Sequence, residues 1–92
     1  MPEIEYSDYF VQATYLLPKE IQKKLAKALR LLAQDPRNTG LRTKPIKGLP
    51  SSSPKIYEAR VNRDYRLTYE RKERDIILLR TVGKHDITSK NP

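Results

Sequence analysis

A chain of 92 residues has room for one small domain, and we expect residues 1–92 to form a single unit around one core. It has no cysteine, which excludes disulfides and thiolate metal sites, and no apolar run approaches the roughly 18 residues of a transmembrane helix. The formal net charge of +8 favours a polyanionic partner, above all nucleic acid, or an acidic protein. A lysine-rich surface that only keeps the protein soluble is the alternative. The N-terminus shows no signal-peptide pattern, so we expect a cytoplasmic protein with no membrane partner.

The N-terminal segment predicts a short strand followed by a helix. Ile4 and Tyr6 alternate with glutamates, a spacing that indicates a strand. Ser7 or Asp8 can then accept a hydrogen bond from the free N–H groups of a first helical turn. We therefore expect the first helix to run from about residue 9 to residue 17.

A second helix is predicted from about Pro18 to Gln34. Proline fits the first turn of a helix, and Asp35-Pro36 ends it because the residue before a proline avoids the helical conformation. Apolar residues recur at helical spacing and form one stripe, made of Ile21, Leu25, Ala28, Leu29 and Leu32. Two helices joined so tightly should form a hairpin that packs on one face of a sheet.

Residues 36–54 are rich in proline, glycine and serine and predict a long linker without a core of its own. The linker carries several cations, among them Lys44 and Lys47. Loops of this length in small domains are often functional or mobile, although a solvated connection with no further role is an equal alternative.

Three β-type runs follow, at residues 56–61, 65–69 and 76–79, with polar turns of hairpin length between them. Because side chains alternate along a strand, one face of this sheet should be apolar, with Tyr57, Ala59, Val61, Leu67 and Tyr69. The predicted fold class is α+β. Its element order is β-α-α-β-β-β, with a small antiparallel-rich sheet and an N-terminal helical hairpin on one face.

The opposite face of the sheet should carry Glu58, Arg60, Arg66 and Thr68. His85 follows the last strand and is the only histidine of the chain. Arginine binds phosphate oxygens through a planar fork, and imidazole titrates near neutrality. This face is therefore a candidate surface for anion binding or phosphate chemistry.

The element order, the phrase Tyr65-Arg66-Leu67-Thr68-Tyr69, the ending Val82-Gly83-Lys84-His85 and the linker piece Pro45-Ile46-Lys47-Gly48-Leu49 together resemble the RelE/ParE superfamily of toxin–antitoxin toxins. The resemblance covers nearly the whole chain. It implies a RelE-like fold and a small ribosome-dependent endoribonuclease that cleaves mRNA and so inhibits translation. Such enzymes use no metal or other cofactor, since the 2′-hydroxyl of the substrate attacks the adjacent phosphate. The implied partners are the ribosome, mRNA and an acidic cognate antitoxin.

The resemblance also implies roles for individual residues. Arg66 stands where the family's strand arginine contacts the scissile phosphate, and Arg60 where several members place a second arginine. His85 would act as base or acid, and Glu58 is a candidate substitute base. Contacts to RNA phosphates are expected from Lys84, Lys44 and Lys47 and from two lysines of the second helix, Lys23 and Lys27.

Two departures from the RelE pattern leave alternatives open. Glu58 and Ala59 stand near positions where RelE relies on lysines, and residues 86–92 lack the tail tyrosine of many active members. A ParE-like inhibitor of DNA gyrase without nuclease activity, or a degenerate member that only binds antitoxin or RNA, would also fit. Structural alternatives are an ion pair of Arg66 with Glu58 or Glu70, a cross-strand ion pair for Glu58, and a backbone contact for His85.

Overall fold

The computed structural model describes residues 2–49, 54–72, 75–84, 86–87 and 92. Strand β1 (Glu3–Tyr6) is followed by helices α1 (Asp8–Tyr15) and α2 (Lys19–Gln34). A short 3₁₀ turn (Thr39–Leu41) and the two-residue strand β2 (Lys44–Pro45) come next. The chain then forms β3 (Ile56–Arg60), β4 (Tyr65–Lys72) and β5 (Ile76–Lys84). In this part of the chain, neither α-helix combines the length and apolar character needed to cross a membrane.

The five strands form one mixed sheet in the order β1-β5-β4-β3-β2. Strand β1 runs parallel to β5, whereas the other three pairings are antiparallel. The predicted α+β class, with a helical hairpin ahead of an antiparallel-rich sheet, is confirmed. The predicted order lacks two elements of the described chain, the 3₁₀ turn and strand β2.

The two helices begin and pack as their sequences predict. The Ser7 hydroxyl accepts a hydrogen bond from the backbone N–H of Phe10 at 3.1 Å, which caps α1. Phe10 itself is buried, and α2 buries three members of its apolar stripe, Leu25, Ala28 and Leu32. They pack with the helix-facing side chains of the sheet, which include Ala59, Leu67, Tyr69, Ile77, Leu79 and Val82.

The linker contributes to the core, which its composition did not predict. Leu41, in the 3₁₀ turn, is only 1% exposed and belongs to the main hydrophobic cluster. Strand β2 then pairs Lys44 with Glu58 and Pro45 with Tyr57. Asn38 Oδ1 accepts a hydrogen bond from Gly40 N at 2.8 Å, which stabilises the turn that presents Leu41. The first part of the linker is therefore packed against the domain.

Tyr69 is also fully buried on the helix-facing side, as predicted, whereas Tyr65 is only half-buried. Burial raises the pKa of the Tyr69 phenol above its usual range, and a hydrogen bond with Thr43 partly opposes this shift. The folded chain thus holds this proton more tightly than the unfolded chain, whose tyrosine pKa is about 10. The resulting stability is fully present below about pH 10 and is lost as the pH rises through the raised pKa.

We expect Tyr69→Phe to change how stability depends on alkaline pH. At pH 7 the free energy of unfolding of the variant should be about 1 kcal/mol lower, because the hydrogen bond with Thr43 is lost. Above about pH 10 its free energy of unfolding should fall less steeply than that of the wild type, because one ionisation linked to unfolding is gone. Urea unfolding between neutral and strongly alkaline pH measures both effects. Tyr15→Phe, at a 79% exposed site, is the control. Parallel wild-type and Tyr69→Phe curves would contradict the linkage.

The sheet face away from the helices is not the open basic surface that its sequence suggested. Glu58, Thr68 and Thr81 are buried at its centre. Near the end of β5, a Cβ atom added at Gly83 would lie 2.9 Å from Ile87 Cγ2, so Ile87 lies close against this strand. Farther along the face, Arg80 Nε donates to the backbone oxygen of Pro92 at 3.0 Å. The centre of this face is therefore covered, and it holds the buried carboxylate of Glu58.

Thr68→Val is expected to stabilise the fold. Thr68 is fully buried, and its Oγ1 has no hydrogen-bond partner among the described residues. Because an unpaired buried hydroxyl costs about 1–3 kcal/mol, an isosteric methyl group should recover about 1 kcal/mol. Thr43→Val, which removes a hydroxyl that bonds to Tyr69 and to Pro36 O, should instead destabilise. Thermal unfolding of both variants tests this, and a lower melting temperature for Thr68→Val would show that its hydroxyl has a stabilising partner.

Candidate functional site

Arg60 and Arg66 lie opposite each other at the end of the β3–β4 hairpin. They are register partners across the two strands, so their side chains share one face, as predicted. Like charges directly opposite on a sheet repel, and an anion bound between them would relieve that repulsion. The pair is therefore a candidate phosphate site.

The Arg66 guanidinium is held by the turn that joins β3 to β4. Its Nη1 donates to the backbone oxygens of Asn62 at 2.6 Å, Tyr65 at 2.9 Å and Arg63 at 3.2 Å. All three bonds leave from Nη1, so the described contacts leave Nη2 and Nε for another acceptor. The alternative ion pair of Arg66 with Glu58 or Glu70 is wrong, because those carboxylates bind other cations.

Glu58 forms the cross-strand ion pair that was the alternative to its role as a base. Its carboxylate oxygen lies 3.2 Å from Lys44 Nζ, across the β2–β3 pairing. The Glu58 side chain is 10% exposed, whereas that of Lys44 is 70% exposed. Glu70 likewise binds Arg80, with 2.6 Å between Oε2 and Nη1. Lys44 is therefore bound to Glu58, and this ion pair must open before Glu58 can act as a base.

Two depressions flank the arginine pair. One, of about 570 Å³, is lined by Tyr65 and Lys84, which are register partners, and by Arg63, Asp64 and Asp86. The other, of about 350 Å³, lies between α2 and β3 and includes Lys24, Lys27, Arg60 and Arg63 in its lining. We call this region the cationic end of the sheet; its members are Lys24, Lys27, Arg60, Arg63, Arg66 and Lys84.

The cationic end gathers four of the predicted site residues, Arg60, Arg66, Lys84 and Lys27. Arg63 and Lys24 were not foreseen, although the position of Arg63 in the turn between the two arginines was a usable signal. Lys23 is exposed on α2 and Lys47 is exposed after β2; neither lines the two depressions. Strand β5 ends at Lys84, and His85 lies outside the described residues.

The described residues contain no group of three or more histidine, cysteine, aspartate or glutamate side chains that could hold a metal ion.

The fold of this chain is similar to those of several solved protein structures. No protein-family model matches the sequence, and no curated protein matches it significantly. Solved structures do match. The archaeal RelE of the RelE–RelB complex from Pyrococcus horikoshii is 20% identical, with a TM-score of 0.71, over 90% of this chain and 93% of that one. YafQ from Escherichia coli is 25% identical, with a TM-score of 0.69, over 92% and 94%.

A metal-bound toxin from Helicobacter pylori is 26% identical, with a TM-score of 0.71, over 94% of this chain and 97% of that one. All three therefore align along nearly their full length. The chain therefore has a RelE-like fold, and its structure matches those of the RelE and YafQ toxins of the RelE/ParE superfamily over about 90% of its length.

Proposed function

We propose that the protein is the toxin of a type II toxin–antitoxin system and acts as a metal-independent, ribosome-dependent mRNA endoribonuclease. The observation that carries this proposal is the Arg60–Arg66 pair at the cationic end of a RelE-like fold. The pair offers two guanidinium groups on one rigid hairpin, with lysines on either side. That arrangement suits an RNA backbone, which presents regularly spaced phosphates.

In the proposed reaction, the 2′-oxygen of the substrate forms a bond to the adjacent phosphorus while the bond from phosphorus to the 5′-oxygen breaks. A base takes the 2′-hydroxyl proton, and an acid returns a proton to the 5′-oxygen. Negative charge grows on the phosphoryl oxygens in the transition state. Because the turn carbonyls already orient Arg66, its remaining N–H groups would stabilise this charge with little reorganisation.

The proton-transfer groups are assigned to His85 and Glu58. His85 directly follows Lys84 in the sequence, and an imidazole can exchange a proton near neutral pH. Glu58 lies on the same sheet face as Arg60 and Arg66. Its carboxylate is paired with Lys44 at 3.2 Å, and in this proposal RNA draws Lys44 away and leaves Glu58 to act as the base.

The lysines would bind RNA that extends beyond the cleaved phosphate. Lys27 lies in the groove beside Arg60, and Lys84 borders the depression on the other flank. Lys23 stands one helical turn before Lys27 and would continue the same path, whereas Lys44 and Lys47 lie on the β2 side of the sheet. Such contacts position RNA without reading its sequence.

We also infer an acidic antitoxin as a partner. The chain carries a net charge of +8, and RelE of Pyrococcus horikoshii and YafQ of Escherichia coli were crystallised with RelB and DinJ. An acidic segment across the cationic end would neutralise the arginine pair and block RNA. Co-purification with a small acidic protein encoded beside it would support this partner.

A reconstituted cleavage assay tests the enzymatic proposal. Purified protein is incubated with an mRNA, either free or held on purified ribosomes, and with a supercoiling reaction of DNA gyrase. We expect cuts only in the ribosome-bound message, undiminished by a metal chelator at a level that leaves ribosomes intact, and full gyrase activity. Inhibition of gyrase with uncut mRNA would replace this proposal with the ParE-like function.

A further inference from the structure

A second cationic pocket lies on the helix-facing side of the sheet and shares no lining residue with the cationic end. It has a volume of about 570 Å³ and is bounded by residues 36–43 on one side and by β3 and β4 on the other. We call it the arginine pocket; its charged and aromatic lining consists of Arg37, Arg42, Arg71, Tyr57 and Tyr69. Along β4, Arg71 is five residues from Arg66, about 17 Å at the rise of a strand.

The floor of the arginine pocket is fixed before any ligand arrives. Tyr57 and Tyr69 stack with 5.5 Å between ring centroids and 18° between ring planes. Tyr69 is held by burial and by its hydrogen bond with Thr43, which also donates to Pro36 O at 3.3 Å. Tyr57 is only half-buried and lines the cavity, so part of its ring is accessible.

The wall formed by residues 36–43 is also ordered. Asp35 Oδ1 accepts a hydrogen bond from Arg37 N at 2.9 Å, which orients the start of the loop. Arg42 has φ of +48°, a left-handed conformation that residues other than glycine seldom adopt. The packed Leu41 next to it holds this backbone in place. Two arginines are thereby presented toward one cavity.

The charge of the arginine pocket is not balanced within the described residues. Arg71 forms an ion pair with Asp75 at 2.7 Å. Arg37 and Arg42 are exposed and make no ion pair in the described part of the chain. Two uncompensated guanidinium groups beside an accessible tyrosine ring match a ligand that has both phosphate charge and an aromatic base.

We propose that the arginine pocket binds a free nucleoside phosphate. Its phosphates lie between Arg37 and Arg42, and its base stacks against Tyr57. The cavity falls within the range of about 300–1,000 Å³ typical of small-molecule sites. This site can be tested apart from RNA cleavage, since it shares no lining residue with the cationic end.

Titration calorimetry with ADP, GDP, pyrophosphate, adenosine and a short single-stranded RNA tests the proposal on the full chain. We expect ADP or GDP to bind about tenfold more tightly than pyrophosphate, because base stacking adds to the phosphate contacts, and adenosine to bind weakly. Tighter binding of the RNA than of either nucleotide, lost in Arg42→Asn but kept in Arg30→Ala, would overturn the proposed free ligand.

Three variants locate the binding. Arg37→Ala and Arg42→Asn should each weaken nucleotide binding about tenfold; asparagine is chosen because it tolerates a positive φ. Tyr57→Leu should weaken nucleotide binding while leaving pyrophosphate binding unchanged. Arg30→Ala, which removes an exposed charge on α2 outside all three cavities, is the matched control and should bind as the wild type does. Equal losses in Arg30→Ala and Arg42→Asn, or no nucleotide binding by the folded wild type, would contradict the site, whatever the outcome of cleavage assays.

Discussion

Replacement of Arg66 by alanine is expected to reduce ribosome-dependent mRNA cleavage by about 100- to 1,000-fold, the usual loss when one preorganised charge donor is removed. Arg66 lies opposite Arg60, and its Nη1 is already bound by the turn carbonyls of Asn62 and Tyr65. The guanidinium would thus meet the phosphate without reorganisation. Rates of cleavage on programmed ribosomes measure the effect.

Two further variants separate charge from the structural role of Arg66. Arg60→Ala removes the opposing charge, and no hydrogen bond from the Arg60 side chain supports the turn among the described residues, so it should lower cleavage without lowering the melting temperature. Arg30→Ala removes an exposed charge on α2, away from both depressions, and should cleave normally. Full activity in a folded Arg66→Ala variant would remove Arg66 from the site. Equal losses in all three would indicate only a dependence on net charge.

Leu41→Ala is expected to be among the most destabilising single substitutions, with a loss of about 2–5 kcal/mol. Leu41 is 1% exposed and fills the core beneath residues 36–43. For a domain of this size, each kcal/mol lowers the melting temperature by about 4–8 °C. Thermal and urea unfolding measure the loss. Leu16→Ala, at an 86% exposed position, is the matched control and should change stability little.

The Leu41 result also bears on the arginine pocket. Because Leu41 holds the loop that presents Arg37 and Arg42, its truncation should weaken nucleotide binding even at temperatures where the domain stays folded. A Leu41→Ala variant as stable as the wild type would contradict the packed position of the 3₁₀ turn. It would restore the interpretation of this segment as a solvated linker.

Periodic patterns in the sequence predicted most of the fold. The apolar stripe of α2 could be recognised in the sequence because a helix repeats its apolar residues many times at one spacing. The alternation in β3 and β4 likewise placed Arg60 and Arg66 on one face. Strand β2 has only two residues, Lys44 and Pro45, which is too few for any periodic signal. The core position of Leu41 could not be predicted either, since one apolar residue among glycine, proline and polar neighbours creates no periodic pattern.

The contacts of the candidate site depended on register, which the pattern alone does not supply. The Lys44–Glu58 pair requires β2, and the Arg66 contacts require the carbonyl directions of the turn. An irregularity at Thr68/Tyr69 also shifts the pairing along β5, so that Thr68 faces Thr81 and Tyr69 faces Leu79. The pair of arginines could therefore be predicted, but the partners that hold them could not.

The central claim, cleavage of translated mRNA by the cationic end, is tested most directly by mapping mRNA 5′ ends in bacteria that express the chain inducibly. Wild type, Arg66→Ala and His85→Ala are compared at equal protein levels. The account predicts new cuts within translated messages, confined to reading frames and lost in both variants. Growth arrest without new 5′ ends, or cuts that persist in both variants, would contradict it.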